Sequence, residues 1–143
     1  MANPAFSTRY QLPDGRIAVD VTEAKTLTAS DCGIVQNVTV ANVAVTLPAT
    51  ATMGVWIVRD GGVKSSGGPK GAIVSPATPQ VTPNASDTLN GFNVTGTAAD
   101  GKYVTNTGGV IDAQPGDEIT IVNTAATNGG LVQSAKGDWV FQA

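Results

Sequence analysis

The fold class is indicated most clearly by residues 34–47, which read IVQNVTVANVAVTL. In the first half of this stretch valine alternates with asparagine or threonine, and in the second half Val43, Val45 and Leu47 alternate with smaller residues. Because successive side chains of a β-strand point to opposite faces, this period of two predicts two half-buried strands. Pro48 ends the second strand, since proline has no N–H to donate to a ladder.

Similar short patterns recur along the chain, with turn-forming residues between them. Residues 55–60 are apolar on both faces, which is typical of a strand in the middle of a sheet. No pattern predicts a helix longer than two turns, so we expect an all-β fold: an antiparallel β-sandwich of jelly-roll type, or a small β-barrel. The other predicted strands are at residues 16–21, 72–75, 103–105, 110–112, 118–123, 131–133 and 139–141, with brief strands near Leu89 and at 92–94.

Composition agrees with a single β domain. Only 13% of the 143 residues are charged, against about 25% in an ordinary soluble domain, and β-branched Val and Thr are plentiful. Residues 16–143 are predicted to form this domain, with a Gly-rich surface loop at 61–71. Residues 1–15 contain prolines and a turn pair and are predicted to form an extended N-terminal arm. A surface with few charges suits a subunit that packs into an assembly.

The arm carries the candidate contact residues. Phe6, Arg9, Tyr10 and Leu12 are spaced along it, and two of the seven aromatic residues of the chain lie in its first ten positions. Two interpretations stay open. The aromatic side chains cover an edge of the domain's own core, or they anchor the arm on a partner subunit.

Charge and hydropathy argue against nucleic acid and membranes as partners. The net charge is −3 and the eight basic residues are scattered, whereas binding to nucleic acid needs clustered Lys and Arg. The first residues of the sequence contain no apolar h-region, so no secretory signal is predicted, and no apolar run approaches the ~20 residues that cross a bilayer. We therefore expect a protein made in a cytoplasm, with no nucleic-acid and no membrane partner.

The residues offer little for catalysis. There is no histidine, which excludes Ser-His-Asp and Cys-His mechanisms and the usual zinc sites. Cys32 has no cysteine partner and is predicted to be a small buried or half-buried apolar group. Trp56 and Trp139 lie inside strand patterns and are predicted to be core residues rather than a platform for sugar stacking. We expect no enzyme activity, no catalytic residues and no cofactor.

Most acidic residues stand where turns are predicted. Five of the eleven are next to a glycine, and aspartate favours turns because its carboxylate accepts nearby backbone N–H groups. Carboxylates brought together by folding could still form a glycosidase pair. Asp112, Asp117 and Glu118 lack the spacing of a calcium loop, so no metal site is predicted. The acids at predicted turns are Asp14, Asp31, Asp60, Asp100, Asp117 and Asp138.

Several motifs resemble those of a known group of virion proteins. They are LTASDCG at residues 27–33, VTLPAT at 45–50, VWIV at 55–58, PNASDTLNG at 83–91, GDEITIV at 116–122 and GDWVF at 137–141. Together they span most of residues 25–141 and resemble the small β-structured decoration (cement) proteins of tailed-bacteriophage heads. Cys32 stands where the pattern often has serine, and the Gly-rich loop at 61–71 is longer.

The resemblance implies a structural role. Such proteins lie on the outer surface of the capsid, commonly as trimers, where they bind the major capsid protein and bridge neighbouring capsomers. The same motifs are similar to modules of phage tails and fibres. The alternative is therefore a tail- or fibre-associated domain that binds a receptor or a carbohydrate, and a small carbohydrate-active enzyme is a third hypothesis.

Overall fold

The computed structural model of the chain describes residues 8–49, 51–65, 72–85, 87–90, 103–106, 113–123 and 129–141. Within these ranges the chain forms β-strands and one 3-10 turn, Ala29–Asp31, and contains no α-helix, which confirms the all-β prediction. The strands are β1 (Tyr10–Gln11), β2 (Ile17–Val21), β3 (Lys25–Thr26), β4 (Val35–Val38), β5 (Ala44–Thr46), β6 (Gly54–Asp60), β7 (Val63–Lys64), β8 (Ile73–Ser75), β9 (Gln80–Thr82), β10 (Thr88–Asn90), β11 (Val104–Thr105), β12 (Glu118–Asn123), β13 (Gly129–Lys136) and β14 (Val140–Phe141).

Most strands belong to two larger sheets. One has seven strands in the order β1-β2-β4-β6-β12-β13-β10, and the other has five in the order β14-β11-β9-β5-β3. The strands β7 and β8 form a separate antiparallel pair. Both larger sheets are mixed, because β2–β4, β4–β6, β10–β13, β3–β5 and β5–β9 are parallel pairs. The described strands close no barrel, so the barrel alternative and the purely antiparallel arrangement are wrong.

The parallel pairs follow from the route of the chain between the sheets. From β2 to β6 successive strands alternate, with β2, β4 and β6 in the seven-stranded sheet and β3 and β5 in the five-stranded one. Parallel neighbours need a long crossover connection, and here a strand of the other sheet serves in place of the usual helix. Across these three strands Ala18 of β2 pairs with Val35 of β4, and Val35 pairs with Ile57 of β6.

Side chains from both larger sheets meet in one hydrophobic cluster. Its largest members, Trp56 and Trp139, are 0% and 1% exposed, which confirms their prediction as core residues. Trp139 also donates its indole N–H to the backbone oxygen of Lys136 at 2.9 Å. The other buried members are Val21, Leu27, Val38, Val43, Val45, Leu47, Val58, Ala77, Val81, Leu89, Val104, Ile119, Ile121, Val132 and Phe141.

The opposite face of the seven-stranded sheet, which we call the outer face, carries a smaller cluster. Ala18, Val35 and Ile57 lie there on β2, β4 and β6, and all three are buried. Leu12 and Val55 pack against them. Along β6 these side chains alternate with those of the main core, so they point the other way. β6 therefore contributes to a cluster on each face, as its apolar sequence predicts.

The positions of most strands agree with the predicted ones, with five differences. β1 lies inside the predicted arm 1–15, and β3 lies between the strands predicted at 16–21 and in 34–47. β7 lies inside the predicted loop 61–71, β9 follows a proline-rich stretch with no predicted strand, and β13 is longer than the predicted 131–133. The predicted strands at 92–94 and 110–112 lie outside the described residues. β11 pairs with β9 and β14.

Cys32 lies on the surface, which corrects its prediction as a buried or half-buried group. In the 3-10 turn before it, Asp31 points inward and accepts the N–H of Thr28 at 2.9 Å. Asp31 thus takes the inward position of the turn, and Cys32, the next residue, is left on the surface. The Sγ atom of Cys32 accepts a hydrogen bond from the N–H of Val55 at 3.4 Å.

Candidate interaction surface

The N-terminal segment folds onto the edge of the seven-stranded sheet. β1 pairs antiparallel with β2, with Tyr10 opposite Ala18. The chain reverses between them, and the turn is closed by a 2.7 Å hydrogen bond from the N–H of Leu12 to the oxygen of Arg16. Gly15 in this turn has φ +93°, a conformation that glycine adopts without strain. Residues 10–17 therefore form a hairpin, which we call the N-terminal hairpin.

The four predicted contact residues fall into different environments. Phe6 lies outside the described residues. Leu12 is half-buried in the apolar cluster of the outer face. Tyr10 is 36% exposed, and Arg9 is exposed with a 3.4 Å hydrogen bond from its guanidinium to the backbone oxygen of Ser30. Since side chains alternate along an extended segment, Tyr10 and Leu12 share a face of the sheet and Arg9 points to the other side.

Tyr10 is held by polar side chains of the next two strands. Its hydroxyl donates to Asp20 at 2.5 Å and accepts from the Asn37 amide at 3.2 Å. Partial burial, together with the hydrogen bond to Asp20, raises the pKa of Tyr10 to about 12. Neither Asp20 nor Asn37 is predicted from the sequence to contact Tyr10. The available signal is that Asp20 and Asn37 are polar outer-face positions, directly paired on β2 and β4.

Arg16 joins the hairpin turn to a distant strand of the same sheet. Its Nη1 donates to both carboxylate oxygens of Glu118 on β12, at 2.9 and 2.8 Å. Its Nε donates to Asp14 at 2.8 Å. The hydrogen bond to Glu118 raises the pKa of Arg16, and the backbone N–H of Arg16 lowers the pKa of the Asp14 carboxyl. The N-terminal hairpin is thus held by apolar, hydroxyl and ionic contacts.

A buried polar cluster lies at the end of β6. It consists of Asp60, Asn106 and Asp117, and we call it the Asp60 cluster. Asp60 and Asn106 are 0% exposed and Asp117 is 6% exposed. The Asn106 amide donates to Asp60 at 3.1 Å and to Asp117 at 3.3 Å, so one side chain bridges two carboxylates. The cluster therefore links β6, β12 and the end of β11.

Backbone N–H groups occupy the same carboxylates. Asp60 accepts the N–H of Gly62 at 2.9 Å, of Ala77 at 2.8 Å and of Thr78 at 3.1 Å. Asp117 accepts the N–H of Gln114 at 2.9 Å. These bonds confirm that both acids, each next to a glycine, serve turns. A glycosidase pair needs carboxylates that reach a substrate, and these two are enclosed.

The structure assembles no metal site from the residues that it describes. No group of three His, Cys, Asp or Glu side chains within those ranges is placed to hold an ion. Of the acids considered as calcium ligands, Glu118 binds Arg16, Asp117 belongs to the Asp60 cluster, and Asp112 lies outside the described residues.

Large apolar side chains remain exposed at several places. Met53 and Val74 are 68% and 65% exposed, and Ile73 and Leu131 are about half exposed. Ile73 and Val74, on β8, border an open groove of about 550 Å³. No aromatic or charged side chain is among its described lining residues, which also include Ser75, Pro76, Thr78, Ala113, Gln114 and Pro115.

Comparison with protein-family profiles, with curated proteins and with solved structures finds no match for this chain. In the parts of the chain that the structure covers, no helix has the length and hydrophobicity to span a membrane.

Proposed function

We propose that the chain is a structural virion protein that decorates a bacteriophage capsid and stabilises it by bridging neighbouring capsomers. In this proposal the two larger sheets form a β-sandwich of jelly-roll type. The protein is a homotrimer on the outer surface of the capsid, bound to the major capsid protein, and it catalyses no reaction. The family assignment itself depends on the sequence motifs at residues 27–33, 45–50 and 116–122.

One observation carries the proposal: the polar groups best suited to chemistry are used inside the fold, while large apolar side chains face solvent. Asp60, Asn106 and Asp117 are enclosed by one another and by backbone N–H groups. Met53 and Val74 are each more than 60% exposed. A domain of this kind is suited to binding through its surface, since burying exposed apolar area is the main favourable term in protein association.

The contacts of the N-terminal hairpin limit which of the four predicted residues are available to a partner. Tyr10 and Leu12 are engaged within the domain, by Asp20 and by the outer-face cluster respectively. We therefore assign them the task of holding the hairpin in place, and assign partner contact to the preceding segment with Phe6 and Arg9. Many copies bind the same capsid lattice, so each individual contact can have low affinity.

The test is co-sedimentation of the purified protein with undecorated heads of the phage that encodes it. Wild type is expected to pellet with the heads, and deletion of residues 2–7 is expected to abolish pelleting while leaving the circular dichroism spectrum unchanged. Lys136→Gln, an exposed change on β13, is the matched control and is expected to bind. Failure of wild type to pellet contradicts the proposal, and full binding by the deletion variant contradicts the assignment of the contact segment.

The open groove beside β8 supplies the concave surface that a second candidate would need, a tail- or fibre-associated domain that binds a receptor or carbohydrate. Sugar sites commonly offer an aromatic face for stacking, and the described lining of this groove has none. The two candidates differ in an easily measured property. The second one requires the isolated protein to bind host cells, and the first requires it to bind heads.

A further inference from the structure

Lys25, Gln36 and Asp31 meet between the two larger sheets. Lys25 belongs to β3 of the five-stranded sheet, and Gln36 belongs to β4 of the seven-stranded sheet. The Nζ atom of Lys25 lies 2.8 Å from Oε1 of Gln36 and 3.2 Å from Oδ1 of Asp31. An amine, a carboxamide and a carboxylate are therefore in direct contact across the sheets.

Each group is held in one orientation by a further hydrogen bond. The Gln36 amide nitrogen donates to the backbone oxygen of Ile34 at 3.2 Å, so its carbonyl oxygen faces Lys25. Oδ2 of Asp31 accepts the N–H of Thr28 at 2.9 Å, which leaves Oδ1 for the amine. Gln36 is 0% exposed, and the side chain of Asp31 is 11% exposed. The carboxamide is thus fully buried, whereas the side chain of the amine donor, Lys25, is 30% exposed.

We propose that Lys25 and Gln36 join through an isopeptide bond, with Asp31 moving the proton. A carbonyl bond is about 1.2 Å long, so the Gln36 Cδ atom lies within about 4 Å of the Lys25 Nζ. Reacting atoms in a near-attack arrangement are about 3–3.5 Å apart, a distance that a small rotation of the lysine side chain supplies. The inference does not depend on the proposed function.

The reaction balances without any further reactant. The Lys25 ammonium passes one proton to the Asp31 carboxylate, and the neutral amine attacks Cδ of Gln36. The new Nζ–Cδ bond forms as the carbonyl electron pair moves onto Oε1. When that pair returns, the bond from Cδ to the amide nitrogen breaks. Asp31 returns its proton to the leaving nitrogen, which departs as ammonia. The ammonia takes the second proton from the new amide nitrogen, so the products are the cross-linked amide and ammonium.

The bond would join an edge strand to the interior of the other sheet. β3 is only two residues long and lies at the edge of the five-stranded sheet, whereas β4 lies inside the seven-stranded one. A short edge strand has few ladder hydrogen bonds, so it is among the first elements expected to open locally. A covalent link at Lys25 holds this strand to the opposite sheet.

Intact mass spectrometry of the denatured full chain tests the proposal. We expect wild type to be lighter than its sequence mass by one ammonia. After tryptic digestion the chain is expected to remain uncut at Lys25 and to give the peptide of residues 17–59, also one ammonia lighter. This peptide map separates the cross-link from ammonia loss elsewhere in the chain.

Matched variants assign the roles. Lys25→Arg keeps the positive charge but lacks the amine, and it is expected to have its full sequence mass. Asp31→Asn is expected to have the full mass as well, whereas Lys136→Arg, at an exposed lysine, should lose ammonia like wild type. Wild type with its full sequence mass and with cleavage at Lys25, both fresh and after prolonged storage, overturns the proposal. A cross-linked Asp31→Asn variant overturns the role given to Asp31.

Discussion

The Asp60 cluster gives the sharpest prediction about stability, tested by Asp60→Asn. Asp60 accepts four hydrogen bonds, two through each carboxylate oxygen. Asparagine keeps one accepting oxygen and puts an NH2 group where the other was. If the retained oxygen keeps the bonds from Gly62 and Ala77, the bonds from Thr78 and Asn106 are lost. The N–H of Thr78 and the amide of Asn106 are then left facing the new NH2 group, which is also a donor.

The expected cost follows from those two donors. A donor left without a partner in a buried site costs about 1–3 kcal/mol, so two of them cost about 2–4 kcal/mol after allowing for partial relaxation. A domain of ordinary stability unfolds with about 5–15 kcal/mol, so the loss is a large fraction of the total. The assay is urea denaturation at one fixed protein concentration, because assembly makes stability depend on concentration.

Asp14→Asn is the matched control, since Asp14 also precedes a glycine in a turn but is exposed. Asp14 bonds Arg16 at an exposed site, so its replacement should cost far less stability than that of Asp60. The reasoning is refuted if the two variants lose the same free energy of unfolding within the error of the measurement. It is also refuted if Asp60→Asn is more stable than wild type.

Three further predictions concern other contacts. Asn123→Ala removes the amide that donates to the backbone oxygens of Pro48, Ala49 and Thr52 at 3.2–3.4 Å, and it should lower the free energy of unfolding by about 1–3 kcal/mol in the same urea assay. Gly137→Ala should lower the free energy of unfolding by at least about 1–2 kcal/mol, because φ is +96° there and a Cβ would collide with the Asp117 carboxylate. Gly33→Ala is the control for backbone strain alone, since Gly33 has φ +75° but open space around its Cβ position. Tyr10 should ionise near pH 12 in a spectrophotometric titration of Tyr103→Phe. Because the folded pKa of about 12 exceeds the usual tyrosine pKa of 10.0, the contribution of Tyr10 to stability should be complete below pH 10 and lost between pH 10 and 12. This loss should be absent from Tyr10→Phe.

Local pattern predicts the strands well but not their partners. The alternation in residues 34–47 predicts β4 and β5, yet β4 pairs with β2 and β6, and β5 with β3 and β9. Period two reports only that one face is buried. It carries no information on whether the neighbouring strand runs parallel or antiparallel. β9 escapes prediction because Pro79 and Pro83 flank its three residues, and proline normally argues against a strand.

The side-chain clusters show the same limit. Asp60 and Asp117, each next to glycine, are predicted to serve turns, and both do so. That Asn106 bridges them cannot be read from the chain, because it lies 46 residues from one and 11 from the other. Gln36 is likewise a polar residue within a strand pattern, and only the packing of the two sheets brings Lys25 to it.

The most direct test of the central claim is immunogold labelling of intact virions with an antibody against this chain. The account predicts gold particles over the outer surface of the head, and loss of that label from particles assembled without the protein. Label confined to the tail or fibres, or a virion with no label at all, would contradict it.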